Sequence, residues 1–206
     1  VPKSPTKRRP VTVAALNESA LALFVEQGFH ATSIHDIVSR AGLTRGAFYS
    51  NYQDKEELFL ALYDQQADQL LADLREAAGR LRPGRELPSH LLRHLAGRKR
   101  ADQRWFLLSM EFTLHAARHP EVARQLAEHE ARLIGGLAEL IDDALAKAGH
   151  AARVRPRELA RLMVILHEGA TAMRLTEEAH GTPEEFPEEL IHHILDALFR
   201  PADDAG

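Results

Sequence analysis

The sequence predicts an all-α protein of about nine helices, in which a three-helix N-terminal module precedes a larger helical domain. Three observations point there. Apolar residues recur at spacings of three and four along most of the 206-residue chain. No stretch sustains the alternation of a strand, so no sheet is expected. Glycine, proline and helix-capping residues punctuate the chain at helix-sized intervals. A hydrophobic content of 45% supplies enough apolar surface for a sizeable core.

Residues 1–10, with Pro2, Pro5 and Pro10, read as a flexible arm. The first helix spans 12–27, where Ala15, Leu16, Ala20, Leu21, Phe24 and Val25 share a side, and Gly28 stands where a C-terminal cap belongs. Thr32 or Ser33 can open the second helix, and Asp36 follows Ser33 by three residues as in a capping box. Ile34, Ile37, Val38 and Ala41 form its apolar side, and Gly42 ends it. Thr44 caps a very short third helix that runs to about Tyr49. The fourth opens near Asp54 and runs to about Gly79, carrying Leu58, Phe59, Leu62, Leu70, Leu71 and Leu74. Further helices are expected over 86–98, 102–119, 120–149, 156–180 and 184–199, with Pro120 and Pro156 in first turns. Residues 201–206 remain as a tail.

Composition excludes several kinds of chemistry. The absence of cysteine removes disulfides, thiol nucleophiles and cysteine-ligated metal sites. No run approaches the roughly 18 uninterrupted apolar residues of a membrane span, and no signal-peptide pattern is present. Charge is uneven. Residues 1–55 hold seven basic and four acidic residues, a net +3, while the remaining 19 basic and 26 acidic residues give −7. A basic module at one end of an acidic chain suits a polyanionic partner.

Two short helices joined by a tight glycine-containing turn, here Ala41-Gly42-Leu43, form the mechanical core of a helix-turn-helix. The second helix of such a pair can enter a major groove while the first crosses the backbone.

The residues of this region carry a more specific signal. The segments Phe24-Val25-Glu26-Gln27-Gly28-Phe29, Ala31-Thr32-Ser33-Ile34 and Asp36 to Tyr49, then Tyr52 and Asp54 to Phe59, together resemble the TetR family of one-component repressors. The resemblance covers about residues 12–60 nearly without gaps. Beyond them it extends only to helix count and hydrophobic layout. The family's usual phenylalanine is replaced by Tyr52, and a phenol keeps the packing if its hydroxyl finds a partner.

The resemblance implies a cytoplasmic, nucleoid-associated bacterial homodimer that binds palindromic double-stranded DNA. It also implies release of that DNA when a small apolar or amphipathic effector enters the C-terminal domain, with no cofactor, metal or membrane involved. Residues 11–55 would form the DNA-binding domain and 56–200 the ligand-binding and dimerisation domain. Arg45 to Asn51 would be the recognition helix. There Arg45 would read guanine or hold a phosphate, Gly46 would allow close approach, and Ala47 would meet a thymine methyl. Thr44 would cap that helix beside phosphate. Ser33, Tyr49 and Lys55 match phosphate-holding positions, and Ser50 and Asn51 would add groove contacts. Lys7, Arg8 and Arg9 are expected to make weak nonspecific contacts.

Two helices match the family's dimerising pair. One carries Leu159, Leu162, Met163, Leu166, Gly169, Ala170 and Met173, and the other Leu190, Ile191, Ile194, Leu195 and Leu198. The expected ligand cavity centres on the helix over 102–119, whose Trp105, Phe106, Met110 and Phe112 are apolar and whose Glu111, Thr113 and His115 can orient a ligand.

Two other readings compete. One is a ligand-independent regulator without a usable pocket, in which the aromatic residues fill the core. The other is a helical enzyme, suggested by His115, His119, His129, His167, His192 and His193. Against it, there is no HExxH, no glycine-rich phosphate cradle and no GxSxG elbow, and His192 and His193 are adjacent and point in different directions on a helix.

Overall fold

The computed structural model describes residues 8–80, 101–147, 149–181 and 197–201. Among them are seven helices and one small ribbon. We label them α1 (Arg8–Gln27), α2 (Ile34–Arg40), α3 (Arg45–Tyr49), α4 (Lys55–Arg80), α5 (Ala101–Ala116), α6 (Pro120–Lys147), β1 (His150–Ala152), α7 (Pro156–His180) and β2 (Phe199–Pro201). The all-α class holds. The helix expected over 86–98 and nearly all of that over 184–199 lie outside the described residues, so the count of nine has no counterpart here.

Three expectations change at the edges. α1 begins at Arg8, so the last three residues of the expected arm are helical. Pro10 sits in the first turn, where a helix has no use for the missing N–H. α5 stops at Ala116 rather than 119. Instead of a helix to Phe199, the chain forms β2, which pairs antiparallel with β1 through His150↔Pro201, Ala151↔Arg200 and Ala152↔Phe199. Strands of three residues are too short to show a period of two, which is why alternation did not announce them.

Contacts divide the chain into two compact units: Val1–Gln66 with Arg104–His129, and Ala67–Gln103 with Glu130–Gly206. In the first, α1, α2 and α3 pack with the start of α4 and with α5 around Leu16, Phe24, Phe29, Ile37, Phe48, Leu58, Phe59, Leu108 and Phe112. The aromatic residues are in ordered contact. Phe112 stacks on Phe59 with ring centroids 3.8 Å apart, Phe29 meets Phe112 edge-on at 5.0 Å, and Trp105 stacks on the ring of Phe59 at 5.6 Å. In the second unit, Leu71 and Leu74 of α4, Leu137, Leu140, Ile141 and Leu145 of α6, and Leu159 and Met163 of α7 form a separate core.

Candidate nucleic-acid interface

The local caps predicted in the module are present. Ser33 caps α2: its hydroxyl accepts from the Asp36 amide at 3.1 Å, and the Asp36 carboxylate accepts from the Ser33 amide at 3.0 Å. Gly42 adopts φ +65°, a left-handed conformation that side chains resist. That turn lets the Leu43 amide donate to Val38 O at 2.8 Å and the Gly42 amide donate to Ser39 O at 3.2 Å, closing α2 as a Schellman motif. Thr44 then opens α3 with its hydroxyl oxygen on the Ala47 amide at 3.2 Å. Phe48 points inward and is fully buried, which fixes the outward side of α3.

That outward side carries the predicted reading residues. Arg45, Gly46, Tyr49 and Ser50 are exposed and Ala47 is half-buried. Tyr49 retains 51% of its surface, a large aromatic residue without a cover. The Arg45 guanidinium lies 6.0 Å from the Tyr49 ring, and Nη2 donates to the phenol oxygen at 3.4 Å. Ser50 and Asn51 turn back on their own helix, donating to Gly46 O at 2.7 Å and to Ala47 O at 2.8 Å. The Asn51 amide oxygen accepts from Arg9 Nε at 3.4 Å, so the basic start of α1 lies beside the end of α3. Tyr52 keeps its place in the core because its hydroxyl donates to Asn17 Oδ1 at 2.6 Å.

Lys55, expected to contact phosphate, also makes bonds within the protein. Its ammonium donates to Phe29 O at 2.6 Å and Thr32 O at 2.7 Å and sits 4.3 Å from the centre of the Phe29 ring. Burial pulls it below the usual lysine value, against the raising influence of Glu56 and Glu111. Ser33 likewise has its hydroxyl engaged with Asp36, at 2.6 Å. Arg40 forms a two-point ion pair with Glu26, at 2.7 and 2.9 Å, which ties the end of α2 to α1.

The residues expected to line a ligand cavity scatter. Phe112 is wholly buried in the aromatic core, Trp105, Phe106 and Met110 are half-buried, and Thr113 is exposed. Glu111 is engaged with the turn after α1: its carboxylate accepts from the amides of Phe29 at 2.9 Å and His30 at 3.0 Å. His115 is buried, with Nε2 3.2 Å from Glu56 Oε1 and its ring 5.0 Å from His30 and 4.2 Å from His119. A groove of about 380 Å³ opens beside the start of α4, but the carboxylates of Asp54, Glu57, Asp64 and Glu128 line it. Such a wall does not suit the apolar ligand expected.

Burial and the neighbouring His119 and His30 hold the His115 imidazole below its ordinary value, with Glu56 opposing. The unfolded chain therefore takes up this proton before the folded chain does. Stability is full above about pH 6.5 and is lost as pH falls from there through the folded value. Urea melts at pH 7.5 and 5.5 should show lower stability at the acid end, with a smaller difference in His115→Gln. An unchanged pH slope in that variant would remove His115 as the source.

The expected dimer residues also divide. Leu159 and Met163 face the core of their own protomer, so they are not free to meet a partner. Leu162, Leu166 and Ala170 are half-buried and Gly169 is exposed. Met173 is 58% exposed, and Ile165, which the sequence reading did not single out, is 61% exposed. Leu198 packs partly against the second core, while Leu190, Ile191, Ile194 and Leu195 lie outside the described residues. No helix among the described residues is long and apolar enough to cross a membrane, and no described group of acidic and histidine side chains is arranged to hold a metal ion.

Comparison with known proteins bears directly on this site. A family model described as "Bacterial regulatory proteins, tetR family" matches residues 16–62, and one described as "BetI-type transcriptional repressor, C-terminal" matches residues 84–200. The chain belongs to the TetR family of bacterial transcriptional regulators. The first match spans α2, the Gly42 turn and α3, the elements whose geometry is that of a helix-turn-helix. A relative, the transposon Tn10 TetC protein of Escherichia coli, is 46% identical over 27% of this chain and 28% of its own length. The transcriptional repressor AcnR of Corynebacterium diphtheriae is 26% identical over 67% of this chain and 65% of its own. Among solved structures, Salmonella enterica GusR superposes with a TM-score of 0.65 and 26% identity, covering 82% of this chain and 85% of that one. The chain thus spans less than two thirds of either curated relative's length.

Proposed function

We propose that this TetR-family protein is a homodimeric repressor, cytoplasmic and nucleoid-associated, that holds a palindromic operator and releases it to a small apolar or amphipathic effector. Residues 11–55 bind DNA, and residues 56–200 bind the effector and dimerise. The observation that carries the reading is the outward side of α3, where Arg45 and exposed Tyr49 stand together on a helix anchored by buried Phe48. A planar guanidinium there is suited to guanine, and a phenol to phosphate. Lys55 and Ser33 brace the turn before α2 and remain the proposed phosphate contacts beside it. The test is selection of duplexes from a random pool, followed by binding at several salt concentrations. The expected result is a palindromic consensus, relaxed in sequence preference by Arg45→Ala and weakened on all duplexes alike by Tyr49→Phe. A pool that yields no consensus overturns the reading.

A second reading, a regulator without an effector, is favoured by one observation. Glu111 and His115, two of the polar groups expected to orient a ligand, are engaged inside the protein. Thermal shifts across a panel of apolar and amphipathic compounds separate the two: a compound that raises the melting temperature and weakens operator binding supports the first.

A further inference from the structure

α1 ends in a left-handed glycine, Gly28 at φ +88°. The next two amides, of Phe29 and His30, both donate to one carboxylate, Glu111, from 82 and 81 residues further along the chain. Successive N–H groups of this kind form a concavity that favours an anion. Here α5 fills it from within the protein. The fit leaves no spare room, since a Cβ at position 28 would lie 3.0 Å from Glu111 Oε2 and 3.3 Å from Oε1.

The same turn is held from its other side. Lys55, the first residue of α4, donates to Phe29 O, which lies between the two amides that Glu111 holds, and to Thr32 O further along the turn. Thr32 completes the closure: its buried hydroxyl donates to Gly28 O at 2.8 Å and accepts from Gln27 Nε2 at 3.2 Å. Ser33, the N-cap of α2, follows at once. A carboxylate from α5 and an ammonium from α4 therefore fix the segment that launches the helix-turn-helix.

We infer that Glu111 is a positioning residue for DNA binding: by holding the Gly28–Ser33 turn it sets the direction in which α2, and with it α3, is presented to the duplex. The inference rests on the DNA-binding reading above. Its effect is on affinity and discrimination more than on folding, because the aromatic contacts of Phe29, Phe59 and Phe112 do not involve the carboxylate. Glutamine keeps the size of Glu111, but its NH₂ group meets one of the two amides donor to donor.

The test uses the full-length chain and a duplex selected from a random pool by the wild type. Glu111→Gln should bind that duplex about tenfold more weakly, the equivalent of one good charge-assisted contact. A random-sequence duplex should be affected less, so discrimination falls. Hydrogen exchange at the Phe29 and His30 amides should quicken toward loop rates in the variant, and adding the selected duplex should slow it in the wild type. Gly28→Ala, which crowds the carboxylate and also strains the left-handed residue at the head of the turn, should likewise lower discrimination. A purely structural cap predicts a lower melting temperature with unchanged affinity and discrimination per folded molecule. That result, or wild-type exchange rates at both amides in Glu111→Gln, overturns the inference. If the wild type selects no consensus, the DNA-binding reading has failed instead, and the exchange measurement still reports on the turn.

Discussion

Replacing Phe112 by alanine should cost about 3–5 kcal/mol of stability, the loss expected when a buried aromatic ring leaves a void its neighbours cannot close. The ring is fully buried and in contact on two sides: its face lies on Phe59 and an edge contact joins it to Phe29. Phe59 in turn is covered by Trp105, and Phe29 lies under the Lys55 ammonium. Removing Phe112 therefore loosens α4, α5 and the turn before α2 together. Urea denaturation with circular dichroism measures the cost. The experiment also separates a packed core from a ligand cavity. If Phe112 lined a pre-existing void, truncation would only enlarge it, and a loss below about 1 kcal/mol would contradict the packing account.

Arginine at both Ile165 and Met173 should convert the proposed dimer to a folded monomer. These side chains are among the most exposed large apolar groups of the protomer. They lie on one side of α7 with Leu162, Leu166, Gly169 and Ala172, at spacings of three and four. A stripe of that kind facing water marks an interaction surface. In a twofold interface each substitution is buried twice, and an uncompensated buried charge costs about 3–5 kcal/mol. Because neither residue belongs to the protomer's own core, helical content should be unchanged. Arginine at Leu159, which is buried in that core, should unfold the second unit instead. Sedimentation should give twice the 23.0 kDa chain mass for the wild type and the single mass for the double variant. A wild type that stays monomeric at micromolar concentration would end the dimer reading. With the dimer lost, operator affinity should fall steeply, since two half-sites no longer bind as one unit.

What was legible in the sequence is what depends on neighbours a few residues away. Ser33 with Asp36, Thr44 before α3, Gly28 and Gly42 after helices, and the apolar sides of α1 and α2 are all local, because a cap or a helical side involves residues within one or two turns. Tyr52 was legible in part. Its tolerance as a phenol followed from chemistry, whereas its partner Asn17 lies 35 residues away.

Periodicity and capping, which act within single elements, were enough to show that the chain is helical, where α1 ends, and where α2 and α3 begin and end, while the helix-turn-helix reading of those elements came from the family resemblance. The tertiary structure alone decided where Glu111, Lys55 and Leu159 go. Each sits on a helix whose pattern allows either a ligand-facing or an internal role, and the pattern names no occupant for the space opposite. Glu111 meets the Phe29 and His30 amides because folding brings α5 against a turn some 80 residues earlier. Lys55 meets two carbonyls because that same turn presents them at the start of α4. Leu159 faces inward because α6 and α4 cover that side of α7, leaving Ile165 and Met173 outside. A charged or apolar side chain is committed by whichever complementary group lies within a few ångströms, and that distance exists only once the helices have packed.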